Sequence, residues 1–333
     1  MSRLTAFIAA AKESLEFAVY DMRLSDPLKA QLVAALKERA NAGVRIRFCY
    51  DGDKPVQPTI ATAQDPAPPG TGTFVQSLGY PFKRIAGMKL MHSKFIIRDN
   101  ESIWAGSTNF TDDAFSLMEN NIVTIDCPRL ADYYAEDFEQ IWKKENFENT
   151  GEIATQPLPL TFAGQPATVR VMFSPGCGAS IDSEIASRVR AAKRRVRICS
   201  LLINSGTLIN ELTNLLRAGR TKIDGIYDRT QMTDVYRQWQ EVPSNRWKIP
   251  ALHEIIDGAG LIGKDSVPYT PSGHHNFMHN KILVIDDTVV TGSYNFSRSA
   301  ELNAENILFI ESAPVAETYS SYIDHLIAKY RPR

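Results

Sequence analysis

Two of the six histidines in this sequence stand at the head of the same short pattern. His92-Ser93-Lys94 is followed by four residues, Asp99, six residues and Gly106-Ser107-Thr108-Asn109. His279-Asn280-Lys281 is followed by four residues, Asp286, five residues and Gly292-Ser293-Tyr294-Asn295. Ten residues beyond each final Asn comes a Glu-Asn pair, Glu119-Asn120 and Glu305-Asn306. A lone histidine is usually a packed or solvated residue without chemistry, but that reading does not explain the same groups recurring twice in order. His and Lys two residues apart project from one face of a strand, because side chains alternate. The apolar residues after them, Phe95-Ile96-Ile97 and Ile282-Leu283-Val284-Ile285, suit a strand buried on both faces. The Gly-Ser turn then returns a hydroxyl and an amide toward the same point. Two such copies facing each other would enclose two imidazoles and two ammonium groups in one pocket.

That set suits cleavage of a phosphodiester. One neutral imidazole attacks phosphorus to give a phosphohistidine. The other, protonated, gives a proton to the departing alkoxide and later takes one from water. Lys94, Lys281, Asn109 and Asn295 would donate to the non-bridging oxygens as charge builds. The two imidazoles must differ in protonation, and a carboxylate on one ring nitrogen would fix the tautomer and favour imidazolium. Glu119 and Glu305 are the candidates for it. Asp99 and Asp286, at strand ends before a turn, are expected to bond backbone. Ser107 and Ser293 fit equally as pocket donors or turn formers. No carboxylate cluster has Mg²⁺ or Ca²⁺ ligand spacing. The four cysteines are scattered without a C-x-x-C pair. Neither a metal nor another cofactor is therefore expected, and Cys49 and Cys199, in apolar segments, read as buried thiols.

The positioning elements repeat as well. Ala10-Ala11-Lys12 running into Ser14-Leu15-Glu16-Phe17-Ala18-Val19 matches Ala191-Ala192-Lys193 running into Arg195-Val196-Arg197-Ile198-Cys199-Ser200. Helical periodicity over 28–42 and 208–219 then leads to strands that each end at an Asp, Asp51 and Asp228. Such alternation implies sheets covered by helices. The expected fold is α/β, with two halves related by a pseudo-two-fold, each a mixed sheet flanked by helices, and the site at their interface. Residues 1–150 form the first half and 168–333 the second, joined by a linker at 151–167 rich in Pro, Thr and Gly. The Pro-rich stretch 53–79 fits a rim or lid, or an uninvolved surface loop. The second half opens on a strand from Thr168, whereas the first opens on its helix. Either the first sheet lacks that strand or the natural chain begins upstream of Met1.

A chain of 333 residues exceeds the size of a single core. Its 44% hydrophobic and 23% charged residues are ordinary for a globular protein. No apolar run approaches the ~20 residues of a membrane span. The start is a poor secretory signal, with Arg3, Thr5 and Lys12 around a short apolar run. A cytoplasmic location is the expectation. The net charge of −1 hides an acidic first half and a basic second half, with a basic run at Arg188, Arg190, Lys193, Arg194, Arg195 and Arg197. That run fits a solvated helix face or a phosphate-contact surface.

These motifs, with both helix–strand repeats, resemble the phospholipase D superfamily over nearly the whole chain. The resemblance implies two α/β halves with a shared central site, one histidine as nucleophile and the other as acid/base, with His92 the favoured nucleophile. One chain would then suffice for a complete site. Met91-His92-Ser93-Lys94-Phe95 with Gly106-Ser107-Thr108-Asn109-Phe110-Thr111, and Met278-His279-Asn280-Lys281 with Gly292-Ser293-Tyr294-Asn295-Phe296-Ser297, are similar to the small bacterial endonucleases and Zucchini-type enzymes. This implies a nuclease acting on DNA or RNA; the alternative is a phospholipase D or cardiolipin hydrolase. A nuclease needs basic and stacking side chains, for which Arg194, Arg195, Lys264, Trp247, Tyr269 and Phe277 are candidates. A lipid enzyme needs an apolar rim, which Met88, Leu90, Met91, Leu261 or Ile262 could supply.

Overall fold

The computed structural model describes residues 1–52, 70–270 and 273–332. The greater part of the expected rim or lid, residues 53–69, lies outside them; the rest of that stretch is mostly a helix, Thr71–Ser77. In the first half, β1 (Ser14–Val19), β3 (Arg45–Asp51), β4 (Phe82–Ile85), β5 (Lys94–Arg98), β6 (Ser102–Gly106) and β8 (Ile122–Asp126) form one sheet. Its strand order is β4-β3-β1-β5-β6-β8, while β2 (Met22–Arg23) and β7 (Phe110–Thr111) pair separately. The second half contributes β9 (Leu158–Phe162), β10 (Gln165–Ser174), β11 (Arg195–Ser200), β12 (Lys222–Asp228), β13 (Ile262–Lys264), β14 (Lys281–Ile285), β15 (Thr288–Gly292) and β16 (Glu305–Glu311). Their order is β13-β12-β11-β14-β15-β16-β10-β9, so six positions of the two sheets correspond strand by strand.

In each sheet the first three of those strands run parallel and the last three antiparallel. The parallel pairs β1–β3 and β11–β12 need long crossovers, and the helices Leu28–Asn41 and Gly206–Ala218 supply them. β14 is buried along its length and β5 at all but its last residue, as central strands covered on both faces must be. The sheets differ at one edge. β16 carries β10, which carries β9, whereas β8 has β6 as its one strand neighbour among the described residues.

The segment 151–167 is more than a linker, since β9 and the start of β10 fall within it. Leu158 and Leu160 alternate with Pro159 and Thr161 and pack against the core. β9 is an edge strand, where the missing N–H of Pro159 is tolerated.

The halves share a hydrophobic core. Phe95, Ile97 and Phe138 cluster with Val169, Phe173, Val284 and Leu308. The helix Pro128–Lys144 buries Leu130, Tyr134, Phe138 and Ile141 at helical spacing. The Tyr134 ring meets Phe95 edge-on at 5.0 Å and Phe173 at 5.1 Å, one from each half. Its hydroxyl donates to Asn306 Oδ1 at 3.2 Å.

Asp137 interrupts that apolar stripe. It is buried, and no donor reaches its Oδ1 among the described residues. Burial, with Glu136 adding, pushes its carboxyl up to about 8. A pKa raised on folding means that the folded state holds the proton more tightly. Its contribution is therefore complete below the ordinary carboxylate range and is lost as pH climbs from about 4 to about 8. Asp137→Asn is expected to remove this slope. Thermal melts of variant and wild type should nearly coincide at low pH and separate by a few kcal/mol above pH 8. Parallel melting curves across that range would contradict this account.

Candidate active site

β5 begins at Lys94 and β14 at Lys281, so both histidines lie just beyond the same end of their sheets. Both lysines are buried, and each ammonium donates to the carbonyl of its own histidine: Lys94 Nζ to His92 O at 2.5 Å and Lys281 Nζ to His279 O at 2.7 Å. Lys94 Nζ also lies 4.8 Å from the Tyr20 ring centroid, and that ring meets the His92 imidazole edge-on at 4.7 Å. Burial brings the Lys94 ammonium down to about 7, although Glu305, Asp21 and Asp51 pull it back up. Lys281 is driven well below its ordinary range by burial and by Lys94.

The segments leading into the two histidines cross between halves. Met91 bridges Ala304, whose carbonyl accepts from His92 N at 2.9 Å. Met278 bridges Glu119, whose N–H donates to Phe277 O at 2.9 Å. The imidazoles are thereby delivered to the opposite half. His92 Nδ1 lies 2.9 and 2.8 Å from the two carboxylate oxygens of Glu305. His279 Nδ1 lies 2.9 Å from Asn120 Oδ1. Each ring is thus oriented by a residue of the other half, and the two motifs form one site.

Burial pulls both imidazoles well below their ordinary range, and both lysines add to this. His279 also feels His92, which places the rings within electrostatic reach of each other. Burial lifts Glu305 up to about 8, against the pull of Lys94, Asn303 and Ser293. Burial thus works against charge on each of these groups, while positive charge developing on His92 holds Glu305 beside it as the carboxylate. A phosphate would reverse that bias for the cations.

Glu119 does not hold His279. Its carboxylate accepts from Lys329 at 2.7 Å and Tyr330 at 2.6 Å, and Asn120 stands where Glu305 stands in the other copy. The offset is visible in the Gly-Ser turns. Ser107 N donates to Asn121 O and Ser293 N to Asn306 O, each at 3.0 Å. Asn121 N and Asn306 N return bonds to the respective serine hydroxyls at 3.1 and 3.0 Å. Asn121 therefore matches Asn306 and Asn120 matches Glu305, because the first excursion after the turn is one residue longer. A Cβ on Gly106 would fall 2.2 Å from Asn121 O, and one on Gly292 would fall 2.3 Å from Asn306 O, which leaves room for glycine alone. Ser107 also donates to Asn120 Oδ1 at 2.9 Å, so it supports the orienting group as well as the turn.

Asn109 and Asn295 follow the turns, each with Oδ1 buried and without a donor among the described residues. Asp99 and Asp286 lie at the far ends of β5 and β14. Asp99 accepts from the N–H groups of Lys12, Glu13 and Ser14, and Asp286 from those of Lys193, Arg194 and Arg195. Arg194 and Arg195 are therefore remote from the histidines. Arg195 begins β11 and Arg194 immediately precedes it, the opposite end of the strand pairs with Lys281, and the two arginines form ion pairs with Asp287 and Glu317. Lys264 is 3% exposed, and its ammonium is taken by Asn276 O and the Tyr330 ring. It cannot meet a substrate phosphate as it stands.

The aromatic candidates fare differently. Tyr269, 58% exposed, stacks on His275 at 5.3 Å, and His275 stacks on Phe277 at 4.7 Å, two residues before His279. Burial, then Asp51 and Tyr269, raise the phenol of Tyr20, the ring beside His92. Tyr20, Asn120 and His275 were not marked by motif. Counting back from the strand after each turn would have found Asn120.

Among the described residues, no group of three His, Cys, Asp or Glu side chains could hold a metal ion, and no helix is long and apolar enough to cross a membrane. Cys49 and Cys199 are buried free thiols. A groove of about 750 Å³ lies between β8, β9 and the helix Ala313–Tyr330 and is not lined by the histidines.

A family profile described as cardiolipin synthase, PLD-like domain, matches residues 4–142 and 185–327. A phospholipase D of Rickettsia felis is 28% identical over 153 residues, covering 45% of this chain and 65% of that protein. A mitochondrial cardiolipin hydrolase of Xenopus laevis is 28% identical over 143 residues, covering 43% of this chain and 61% of that protein. Both matches thus span less than two thirds of the relative. A phosphatidylserine synthase structure from Haemophilus influenzae covers 99% of this chain and 84% of that one at a TM-score of 0.70 and 13% identity, a likeness of fold.

Proposed function

We propose that this chain, which belongs to the phospholipase D-like family, is a metal-independent phosphodiesterase that forms a phosphohistidine on His92 and cleaves nucleic acid. With Nδ1 of His92 held by Glu305, Nε2 is the nitrogen left to attack phosphorus. The P–O bond to the leaving group breaks as His279 passes it a proton. Water then attacks phosphorus, His279 takes the water's proton, and the P–N bond to His92 breaks. A diester anion entering between Lys94 and Lys281 favours the ammonium and imidazolium forms that burial opposes, so the acid is armed by its own substrate.

The assignment of roles rests on the unequal partners. A carboxylate stabilises the cationic phosphoimidazole forming on His92. The neutral amide of Asn120 orients His279 without holding its proton, which suits an acid that must release it.

The observation that favours nucleic acid is the stack Tyr269–His275–Phe277, which ends two residues from His279. Stacking of this kind takes any base and is worth about 1–3 kcal/mol per base. A lipid reading has its own support. Met88 (51% exposed), Leu302 (44%) and Leu117 (49%) lie on the segments leading to His92, Glu305 and Asn120, and could rest on a bilayer. The test offers labelled single-stranded DNA, duplex DNA and RNA in excess EDTA, with anionic phospholipid vesicles in parallel and His92→Ala as control. Cleavage of a nucleic acid by the wild type alone is expected, and Tyr269→Ala should raise KM for single strands by about tenfold. Turnover of vesicles alone would replace this reading with the lipid one; loss of activity in EDTA would remove metal independence.

A further inference from the structure

We infer that Asp51 and Asp228 are positioning residues that fix where each histidine stands. Both are buried, at the ends of β3 and β12. Asp51 Oδ1 accepts from Met91 N at 2.7 Å, and Asp228 Oδ2 accepts from Met278 N at 2.9 Å. Met91 and Met278 immediately precede His92 and His279. The same bond to the same backbone position occurs in both copies. That repetition sets it apart from an incidental contact.

The placement explains why a carboxylate belongs there. Met91 and Met278 lie where the chain leaves its own sheet to bridge the opposite half. Beyond the last ladder pair of β1 with β5, Val19 with Lys94, the sheet no longer dictates the path. A strong acceptor at the end of the next strand but one restores that control. Each histidine is then held from both sides: the N–H of the residue before it is bound by Asp, and its own carbonyl by the motif lysine. A shift of about 1 Å in a reacting group can cost on the order of a hundredfold in rate. Asp228 additionally accepts from Gln231 N and Ser266 Oγ, so it also caps the following helix, Arg229–Glu241.

This inference rests on the phosphodiesterase reading for its kinetic readout but has a spectroscopic one that does not. In ¹H–¹⁵N spectra of the histidine rings, Asp51→Ala should shift the His92 resonances and leave those of His279 nearly unchanged. Asp51→Asn, which keeps an acceptor oxygen in place, should restore them. On bis(p-nitrophenyl) phosphate, kcat should fall about ten- to a hundredfold in Asp51→Ala with KM little changed, and recover in Asp51→Asn. Asp51→Ser, polar but too short to reach Met91 N, serves where the alanine variant does not fold. Unmoved His92 resonances in a folded variant would overturn the inference, as would equal loss in Asn and Ala variants. Failure of the wild type to hydrolyse any diester would overturn the functional reading and leave the spectra to decide this one.

Discussion

His279→Asn is expected to accumulate a covalent phosphoryl adduct on His92 when given a diester with a p-nitrophenyl leaving group. Such a leaving group departs without a proton, so the attack proceeds in the variant. The second step still needs a base to activate water, and that base is gone. Turnover should therefore fall by about two to four orders of magnitude, the usual span for losing a general acid–base group. The adduct should be acid-labile and appear as added mass on the peptide carrying His92. His92→Asn should form no adduct and lose at least as much activity. An adduct on His279 in the His92→Asn protein would invert the assignment, and no adduct in either would point to direct attack by water.

The second large effect is expected at Glu305. Glu305→Gln keeps an oxygen to accept from His92 Nδ1 and so preserves the ring's orientation. It removes the negative charge, which makes the partner of His92 chemically like the partner His279 already has. The loss should be about a hundred- to ten-thousandfold in kcat, as when a histidine-bound carboxylate becomes an amide elsewhere. Asn120→Ala removes an orienting acceptor, with its bonds to Ser107 and Ala114, but no charge, and about tenfold is expected. Steady-state rates of the two variants on one small diester decide the matter. Equal losses would mean that the partners orient their rings and do nothing electrostatic.

The doubled His-x-Lys motif and the helix–strand repeat were enough to read two matching sheets and a site between them. Periodicity and order along the chain encode those features directly. Asn120 was hidden by arithmetic. Ten residues from Asn109 lands on Glu119, but the turn fixes its register at Ser107, and the excursion there is one residue longer. Arg194 and Arg195 failed for a different reason. A basic run tells which strand it adjoins but not which end of the sheet will carry the site, and these two stand at the start of β11 whereas the site lies at its end. Lys264 shows that an ammonium near a motif can be spent on a backbone carbonyl, here that of Asn276. Tyr20 could not be found by repeat at all, since Leu201 occupies its place in the second copy.

The exchange of orienting residues between halves bears on how such a site can arise and change. A symmetric assembly of one repeated gene product would have to give both imidazoles the same partner. Its two rings would become donor and nucleophile only when a substrate broke the tie. Joining the copies in one chain removes that restriction, because position 120 and position 305 can mutate independently. Glu305 on one ring and Asn120 on the other break that symmetry within a single chain, so under the proposed mechanism the two rings are unequal before any substrate arrives.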